Sequence, residues 1–500
     1  MILLWLLIVP LAASPLAFFL RRRSKMEAIN LAAFAILLCL ATALGVQVLR
    51  TGPVSLWDGF FYADALSALM VFLSAFVALA CSIYAVGYFR HDEKNGVFRE
   101  DEEARGPFAV HKLREYYTLT PLFIFSMMLV ALANNLGMLW VAIEGTTLAS
   151  VFLVMFYGRD TSLEAAWKYA IIGGVGLSMA LFGTILTYYS AHQVLGTDTL
   201  AGLNWSVLVG NAAQFDKPTM RLAFILILLG YGTKAGIAPM HTWKPDAYSE
   251  APIPGAAMLA AGVLNCALYG LVRFDVLSSR CLGPQFASHL LILFGLLSMG
   301  VAVPFILVQR SFRRILAYSS IDHSGIMVLA LGFGGPLGIL GMLLHMTFHS
   351  ITKPLLFFCA GNVQQHLNTD SFREAKGSLI HSMPVTGAAF LMVTLAVTGA
   401  PPFSLFLSEF TILRAGFGAG HLVLAILFIA FLVAIFSGFL IHIANLVLGP
   451  DLDRPPAETC PWKNYPVIGL AAVIVVMGFW MPAPLFKLIQ DAVEIVTSPR

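Results

Sequence analysis

Two stretches decide how this chain folds: residues 134–156, NNLGMLWVAIEGTTLASVFLVMF, and residues 224–243, FILILLGYGTKAGIAPMHTW. Each is apolar and long enough to cross a bilayer, for which about 20 residues suffice. Each also carries one ionisable residue in its interior, Glu144 and Lys234. Such a group costs roughly 2.5–3.5 kcal/mol at the bilayer centre on insertion scales, so its presence points to a use. Glu144 is mid-helix, ~12 Å from either end of its span at a rise of 1.5 Å per residue. A buried carboxylate calls for a counter-charge, and Lys234 is the obvious partner. A lysine stripped of water at a helix break can give up its proton, so it can pass protons as well as anchor a pair.

The rest of the chain has the same character. Of 500 residues, 59% are hydrophobic and only 11% are charged, and the mean hydropathy is +0.83. The usual charged share of a soluble domain is about a quarter, so most of this chain is lipid-embedded helix. A net charge of +3 without a basic, aromatic-interleaved cluster excludes nucleic acid as a partner. The six cysteines (39, 81, 266, 281, 359 and 460) are scattered through apolar stretches, and none forms CxxC. Neither an iron–sulfur cluster nor structural zinc is indicated; no cofactor, metal or redox centre is expected in the chain itself.

Windows long enough to span fall near 2–20, 27–49, 64–88, 117–133, 136–157, 165–190, 219–241, 251–274, 287–308, 315–333, 337–361, 384–407, 420–448 and 464–486. The expected fold is therefore an all-α polytopic membrane protein of about 14 helices. In the first 20 residues, the positive charge (Arg21, Arg22, Arg23, Lys25) follows the apolar run instead of preceding it. That order favours an uncleaved first span with its amino terminus outside. The inside segments are then 21–26, 89–116, 158–164, 242–250, 309–314, 362–383 and 449–463. They hold RRRSK, QRSFRR, REAK and a mixed-charge run over 89–115, whereas Arg50, Lys217 and Arg280 are the main outside cations. The positive-inside rule supports this orientation.

Two spans are interrupted. Gly232, Gly236 and Pro239 break the helix around Lys234; Gly399, Pro401 and Pro402 precede Glu409 in VTLAVTGAPPFSLFLSEF. Proline and glycine open the backbone ladder, which is tolerated only against protein or water-filled space. Breaks at corresponding positions of two halves point to inverted repeats. These are placed at 117–274 and 287–448, after an amino-terminal three-helix region (1–116) and before a carboxy-terminal helix (449–500).

More titratable groups follow. His345 and His349 share a helix face in LHMTFHSITKPLLFF, and Lys353 extends the stripe by one turn. Imidazoles that titrate near working pH suit a proton relay; packing histidines, or a metal or haem site with His366, are the alternatives. Asp322 and His323 in RILAYSSIDHSGIM are expected near the inner start of a span, as a loading group or a cap. His241 stands at the inner end of the broken seventh span, followed by Trp243, Asp246 and Glu250. That cluster either loads protons from inside or is an ordinary solvated loop. GYGTKAG lacks the GxxxxGK[ST] spacing of a phosphate loop, and GGVGLSMALFG fits close helix packing.

Four segments carry a resemblance together: LANNLGMLWVAIEGTTLASVFLV (132–154), LEAAWKYAIIGGVGLSMALFGTILTYY (163–189), GYGTKAGIAPMHTWKPDAYSEAP (230–252) and HMTFHSITKPLLFFCAGNV (345–363). They resemble the antiporter-like proton-channel subunits shared by respiratory complex I, multisubunit cation/proton antiporters and membrane-bound [NiFe] hydrogenases. Within that group ALANNLGMLWVAIE, LEAAWKYAI and GVLNCALYGLVRF look most like hydrogenase-4 component F of the formate hydrogenlyase type. The resemblance covers roughly residues 55–450. It implies 14 helices, two inverted five-helix repeats and broken seventh and twelfth helices. It makes Glu144 the fifth-helix glutamate, Lys234 the seventh-helix lysine and the two a coupling pair. His323, His345, His349 and Lys353 then belong to a central hydrophilic axis, and Glu409 to the exit side.

Three departures stand out. Asn265, in AGVLNCALYG, replaces the eighth-helix lysine typical of respiratory relatives. The loop that usually reads HTWLPDAH is HTWKPDAY, with Lys244 and Tyr248. The last span ends near 486, so the long lateral helix of the distal complex I subunit is not expected. The function implied is proton translocation, without chemistry of its own, in a hydrogenase-linked, energy-converting oxidoreductase complex. Its partners would be other antiporter-like membrane subunits, a [NiFe] hydrogenase-like large subunit and iron–sulfur subunits, in a prokaryotic cytoplasmic membrane. An autonomous or multisubunit Na+/H+ antiporter fits the broken helices equally well, as does a complex I proton-channel subunit; a cytochrome ligated by His345 and His349 is the remaining alternative.

Overall fold

Long apolar runs without i→i−4 breaks can satisfy their backbone only as helices inside lipid. In the computed structural model, which describes residues 1–97, 107–196, 200–375, 379–450, 458 and 460–497, the chain is helical almost throughout. Eleven helices among the described residues are long and apolar enough to cross a membrane. They are Ile2–Phe19, Arg23–Thr51, Ala65–Lys94, His111–Leu132, Leu136–Val154, Asp160–Leu195, Ile253–Leu282, Pro284–Val308, Phe312–Phe333, Leu422–Val447 and Pro461–Phe479. The other three windows hold Lys217–Ala235, Gly335–Leu367 and the pair Pro384–Val397 and Ser404–Gly418. The first two miss the apolarity of a simple span because they carry Lys234 and the His345–His349–Lys353 stripe, and the third is divided by its break into helices of 14 and 15 residues. Numbered in chain order, the fourteen windows are spans one to fourteen. Span seven is Lys217–Ala235 followed by Trp243–Glu250, and span twelve is Pro384–Val397 followed by Ser404–Gly418.

The polar elements lie at the centre. Spans eight and ten (Ile253–Leu282 and Phe312–Phe333) are buried throughout, whereas less than half of spans one, two, six, nine, thirteen and fourteen is buried, and these form the rim. Span eight contains a π-helical turn at Leu259–Val263, which ends two residues before Asn265. Spans six and seven approach closely because Gly176, Ala180 and Gly183 face Thr233, Gly230 and Ala223, the use expected of the small-residue stripe.

The loops sort to two ends of the bundle, as the alternating charge pattern expects. At one end Arg23 meets Glu93, and Arg90 donates to Glu27 at 2.7 Å. Asp246 bridges Lys168 and Arg314 at 3.0 and 3.1 Å. Ser311 donates to Asp370, and Gln365 joins Asp92 and Lys463. All seven segments read as inside contribute to these contacts or to Thr161–Glu250; the stretch 98–106 of the mixed-charge run lies outside the described residues, as does Lys376 of REAK. At the other end a short hairpin, Val54–Leu56 paired with Phe61–Ala63, meets Ala133 and Asn134, which in turn reach Ser206.

Some expected boundaries move. Span four starts at Pro107 instead of 117, and span fourteen ends at Phe479, not near 486. A separate helix, Ala483–Thr497, follows. Leu488, Ile489, Ala492 and Val493 bury one face of it against spans three and eleven, with the Lys487–Asp491 pair on the other. The window to 486 overran the span because the apolar start of this amphipathic helix continues the preceding run.

Candidate functional site

The seventh span stops because its sequence stops it. Gly236 adopts φ +69° and closes the helix with bonds from its own N–H to Thr233 and from Ile237 to Gly232, a left-handed glycine cap. Such an end leaves carbonyls without intrahelical partners, which inside a membrane must be satisfied by protein. Two side chains from the second half of the span reach back to do so. Trp243 Nε1 donates to Thr233 O at 2.9 Å, and Lys244 Nζ donates to Ala235 O at 2.6 Å.

Lys234 is buried one residue before that end. Its ammonium donates to Thr147 Oγ1 of span five at 2.7 Å and to Tyr169 OH of span six at 2.6 Å. It also lies 4.7 Å from the Tyr169 ring centroid, with Trp243 stacked on the same ring at 4.5 Å. Thr147 and Tyr169 were not singled out from sequence, although Thr147 lies one helical turn after Glu144.

The expected Glu144–Lys234 contact is absent in this conformation. Glu144 is within electrostatic range of Lys234 but forms no ion pair with it. Its Oε2 is buried without a hydrogen-bond partner, while the residue is half-buried at the edge of the bundle. Val141, Leu148 and Phe152 on the same face are exposed. A hydroxyl pair thus occupies Lys234, and the Glu144 oxygen Oε2 stays buried and unpaired near it.

Beyond the break, span ten meets spans eleven and twelve. His323 Nδ1 and His345 Nε2 share a hydrogen bond of 2.8 Å, and His345 Nδ1 pairs with Ser408 Oγ at 3.0 Å. Both ring nitrogens of His345 are therefore engaged by protein, which removes the open positions a haem iron would need. His349 stands with its ring 5.1 Å from that of His323, and neither of its nitrogens meets a protein partner. Lys353 Nζ donates to Ser319 Oγ at 2.7 Å. Asp322 lies within electrostatic range of Lys353, and its Oδ1 is buried without a partner. Span ten starts at Phe312, capped by Ser311, so Asp322 and His323 are buried mid-helix. They are neither a helix cap nor a group at the inner mouth, contrary to the expectation from sequence. Asn265 donates to Ser350 Oγ at 2.6 Å.

The two ends of the line differ. His241 is half-buried in the turn of the seventh span, with Lys244 N bonded to its carbonyl. The inner cluster after it is more ordered than a solvated loop, since Asp246 is clasped by cations of spans six and ten. Glu409 is 6% exposed and lines a cleft of about 340 Å³ with Thr398, Pro401, Phe410 and Phe428. Gly399, at φ +70°, gives its carboxylate room, because a Cβ there would collide with it. Gly399→Ala combines that collision with left-handed strain of roughly 1–2 kcal/mol. It is expected to lower the chain's unfolding free energy in detergent by at least about that amount; an unchanged value would contradict this geometry.

A line of buried polar groups therefore runs from the seventh-span break through spans ten and eleven to Glu409. Among the described residues no cluster of His, Cys, Asp or Glu is placed to hold a metal ion. Comparison with known proteins agrees with this architecture. Residues 133–436 match the family described as NADH:quinone oxidoreductase/Mrp antiporter, TM, and residues 59–98 match the NADH-ubiquinone oxidoreductase (complex I) chain 5 N-terminus. The chain is 35% identical to a hydrogenase-4 component F homolog of Methylacidiphilum infernorum, over 86% of this chain and 87% of that one. It is 28% identical to F(420)H(2) dehydrogenase subunit N of Methanosarcina mazei, over 87% and 84%. A chain of an archaeal respiratory complex, the membrane-bound sulfane sulfur reductase, has the same fold: TM-score 0.85, 24% identity, 99% and 97% coverage. With its helices, its two breaks and its buried polar line, the chain belongs to the transmembrane subunit family of NADH:quinone oxidoreductases and Mrp antiporters.

Proposed function

We propose that this chain translocates protons as a membrane subunit of a hydrogenase-linked, energy-converting complex. The observation that carries the proposal is the buried line Lys234, Lys244, His323–His345, His349, Lys353 and Glu409. Lys234, Lys244, His323, His345 and Lys353 are held by neutral hydroxyls, carbonyls or imidazoles, His349 is buried with both nitrogens unpaired, and among the described residues no ion pair locks any member of the line. Groups held this way can gain or lose a proton without breaking a salt bridge, which a relay requires. His241 leads into the line from the inner end and Glu409 lets protons out through the cleft; the two inverted repeats are 117–274 and 287–448. The cell membrane is a prokaryotic cytoplasmic one.

Glu144 supports the need for a partner. Its carboxyl oxygen Oε2 is buried without a hydrogen bond, and exposed Val141, Leu148 and Phe152 form an apolar lateral face directly beside it. A neighbouring antiporter-like subunit covering that face would shield it, and electron transfer in [NiFe] hydrogenase-like and iron–sulfur subunits would reach this chain sideways through it. Glu144→Gln is expected to leave electron transfer by the complex intact while proton translocation falls by about 5–150-fold, the range of a coupling free energy between sites. Translocation at the wild-type rate would remove Glu144 from the coupling.

The first test is a mild-detergent pull-down of the tagged chain with its co-purifying proteins identified. Recovery of a nickel–iron large subunit with iron–sulfur proteins supports the proposal. The family also includes Mrp antiporters, so the alternative is Na+/H+ exchange. Recovery of the chain alone, exchanging sodium for protons in liposomes, would favour that activity and end the hydrogenase assignment.

A further inference from the structure

We infer that Lys244 is a proton-relay lysine of this chain, bridging the two halves of the buried line in place of an eighth-span lysine. This rests on the proton-translocating function proposed above. From sequence Lys244 is merely an oddity of a loop, and nothing in its local pattern marks it as central.

The tertiary structure places it differently. Lys244 is 1% exposed and its ammonium sits at the seventh-span break. It donates to Ala235 O at 2.6 Å, to Ser324 Oγ at 3.0 Å and to Ser320 O at 3.3 Å. One acceptor belongs to span seven and two belong to span ten, so the side chain joins the proposed first repeat to the second. No carboxylate pairs with it among the described residues. His323, His349 and Lys353 all lie within its electrostatic range. His323 is one residue from Ser324, and the His323–His345–Ser408 chain continues from there.

Two further details show that space is reserved for it. A Cβ on Gly236 would come within 2.5–2.9 Å of Lys244 Cδ, Cε and Nζ, so the side chain passes directly over that glycine. Meanwhile Asn265 cannot carry a proton between the halves. It donates to Ser350, and its Oδ1 is buried without a partner. A relay from Lys234 to His349 and Lys353 lacks a titratable step at span eight, and Lys244 supplies one from span seven. The transfer is a proton hop only: the ammonium releases one N–H proton toward span ten and is reprotonated from the Lys234 side.

A helix-end lysine also satisfies orphan carbonyls, so the test must separate capping from relay. Arginine keeps the charge and donors but holds its proton at all working pH values. Inverted membrane vesicles of the native cell, containing the whole complex and energised by its own electron donor, report proton uptake with a pH-quenched acridine dye. Electron-transfer rate and the amount of assembled complex are measured in parallel. Lys244→Arg and Lys244→Met are both expected to assemble, to retain electron transfer and to lose at least tenfold in proton uptake per electron. Uptake by Lys244→Arg within twofold of wild type would overturn the inference and leave Lys244 a cap. If either variant fails to assemble, a capping role is indicated and the inference also falls. Lys234→Met is the reference: if it too takes up protons normally, the translocation proposed for this chain fails, whereas its loss beside a normal Lys244→Arg overturns Lys244 alone.

Discussion

Lys234→Met is expected to assemble normally and to lower proton translocation by about 100-fold, the lower end of the range for a positioned proton-transfer group. Methionine is unbranched and similar in length, so it fills the space that the lysine stem takes between the helix end and Thr147 and Tyr169. Thr147 and Tyr169 lose a donor, but Tyr169 keeps its bond to Ser150 at 2.8 Å and its stack on Trp243. What disappears is the amine that stands between Glu144 and Lys244 in the proposed line, together with its capacity to hold or release a proton. The measurement is dye-reported proton uptake in energised vesicles, normalised to electron transfer. Wild-type uptake would end the translocation proposed for this chain.

Arg273→Met is expected to be the most destabilising single change outside the polar line. Arg273, 3% exposed, grips Asp64 with two bonds of 2.7 Å each and donates to Ser67 and Tyr269. Trp205 closes the site from the other side, its ring centroid 4.2 Å from the guanidinium carbon. The pair ties span three to span eight near the end where the hairpin lies. Removing one partner of such a buried pair leaves an uncompensated charge and costs about 3–5 kcal/mol. Asp64→Leu together with Arg273→Met removes both charges, and the double variant is expected to recover most of that loss. Unfolding of the purified single and double variants in detergent checks this. An Arg273→Met variant within about 1 kcal/mol of wild type would mean that the pair is not buried as described.

Much of the fold was legible because lipid imposes a simple rule: apolar runs of fixed length become helices. The fourteen windows, both breaks and the sorting of loops to two ends follow from hydropathy, Gly–Pro placement and Lys/Arg bias. The terminal helix Ala483–Thr497 was missed because hydropathy averages over a helix and hides an amphipathic face. Most candidate site residues were legible for a related reason, since a charge inside an apolar run is conspicuous. Glu144, Lys234, His345, His349, Lys353 and Glu409 stood out that way. His323 stood out as well, but was placed too near the helix start.

Lys244, Thr147, Tyr169, Ser319 and Ser408 were not visible as site residues. Hydroxyls and tyrosines carry little hydropathy signal, and Lys244 sits among polar neighbours that read as a loop. Its burial depends on a helix end 9 residues earlier, whose Ala235 carbonyl it satisfies, and on Ser320 and Ser324 some 80 residues later. The sequence by itself determined which segments enter the membrane, where two of them break and which charges they carry. Only the tertiary structure decided which groups share hydrogen bonds and that Glu144 and Lys234 stand apart in this conformation. It also decided that Lys244 joins the line. The physical reason is that burial in lipid is a property of a run of residues, whereas hydrogen bonding inside the bundle is settled by distances between helices remote in sequence.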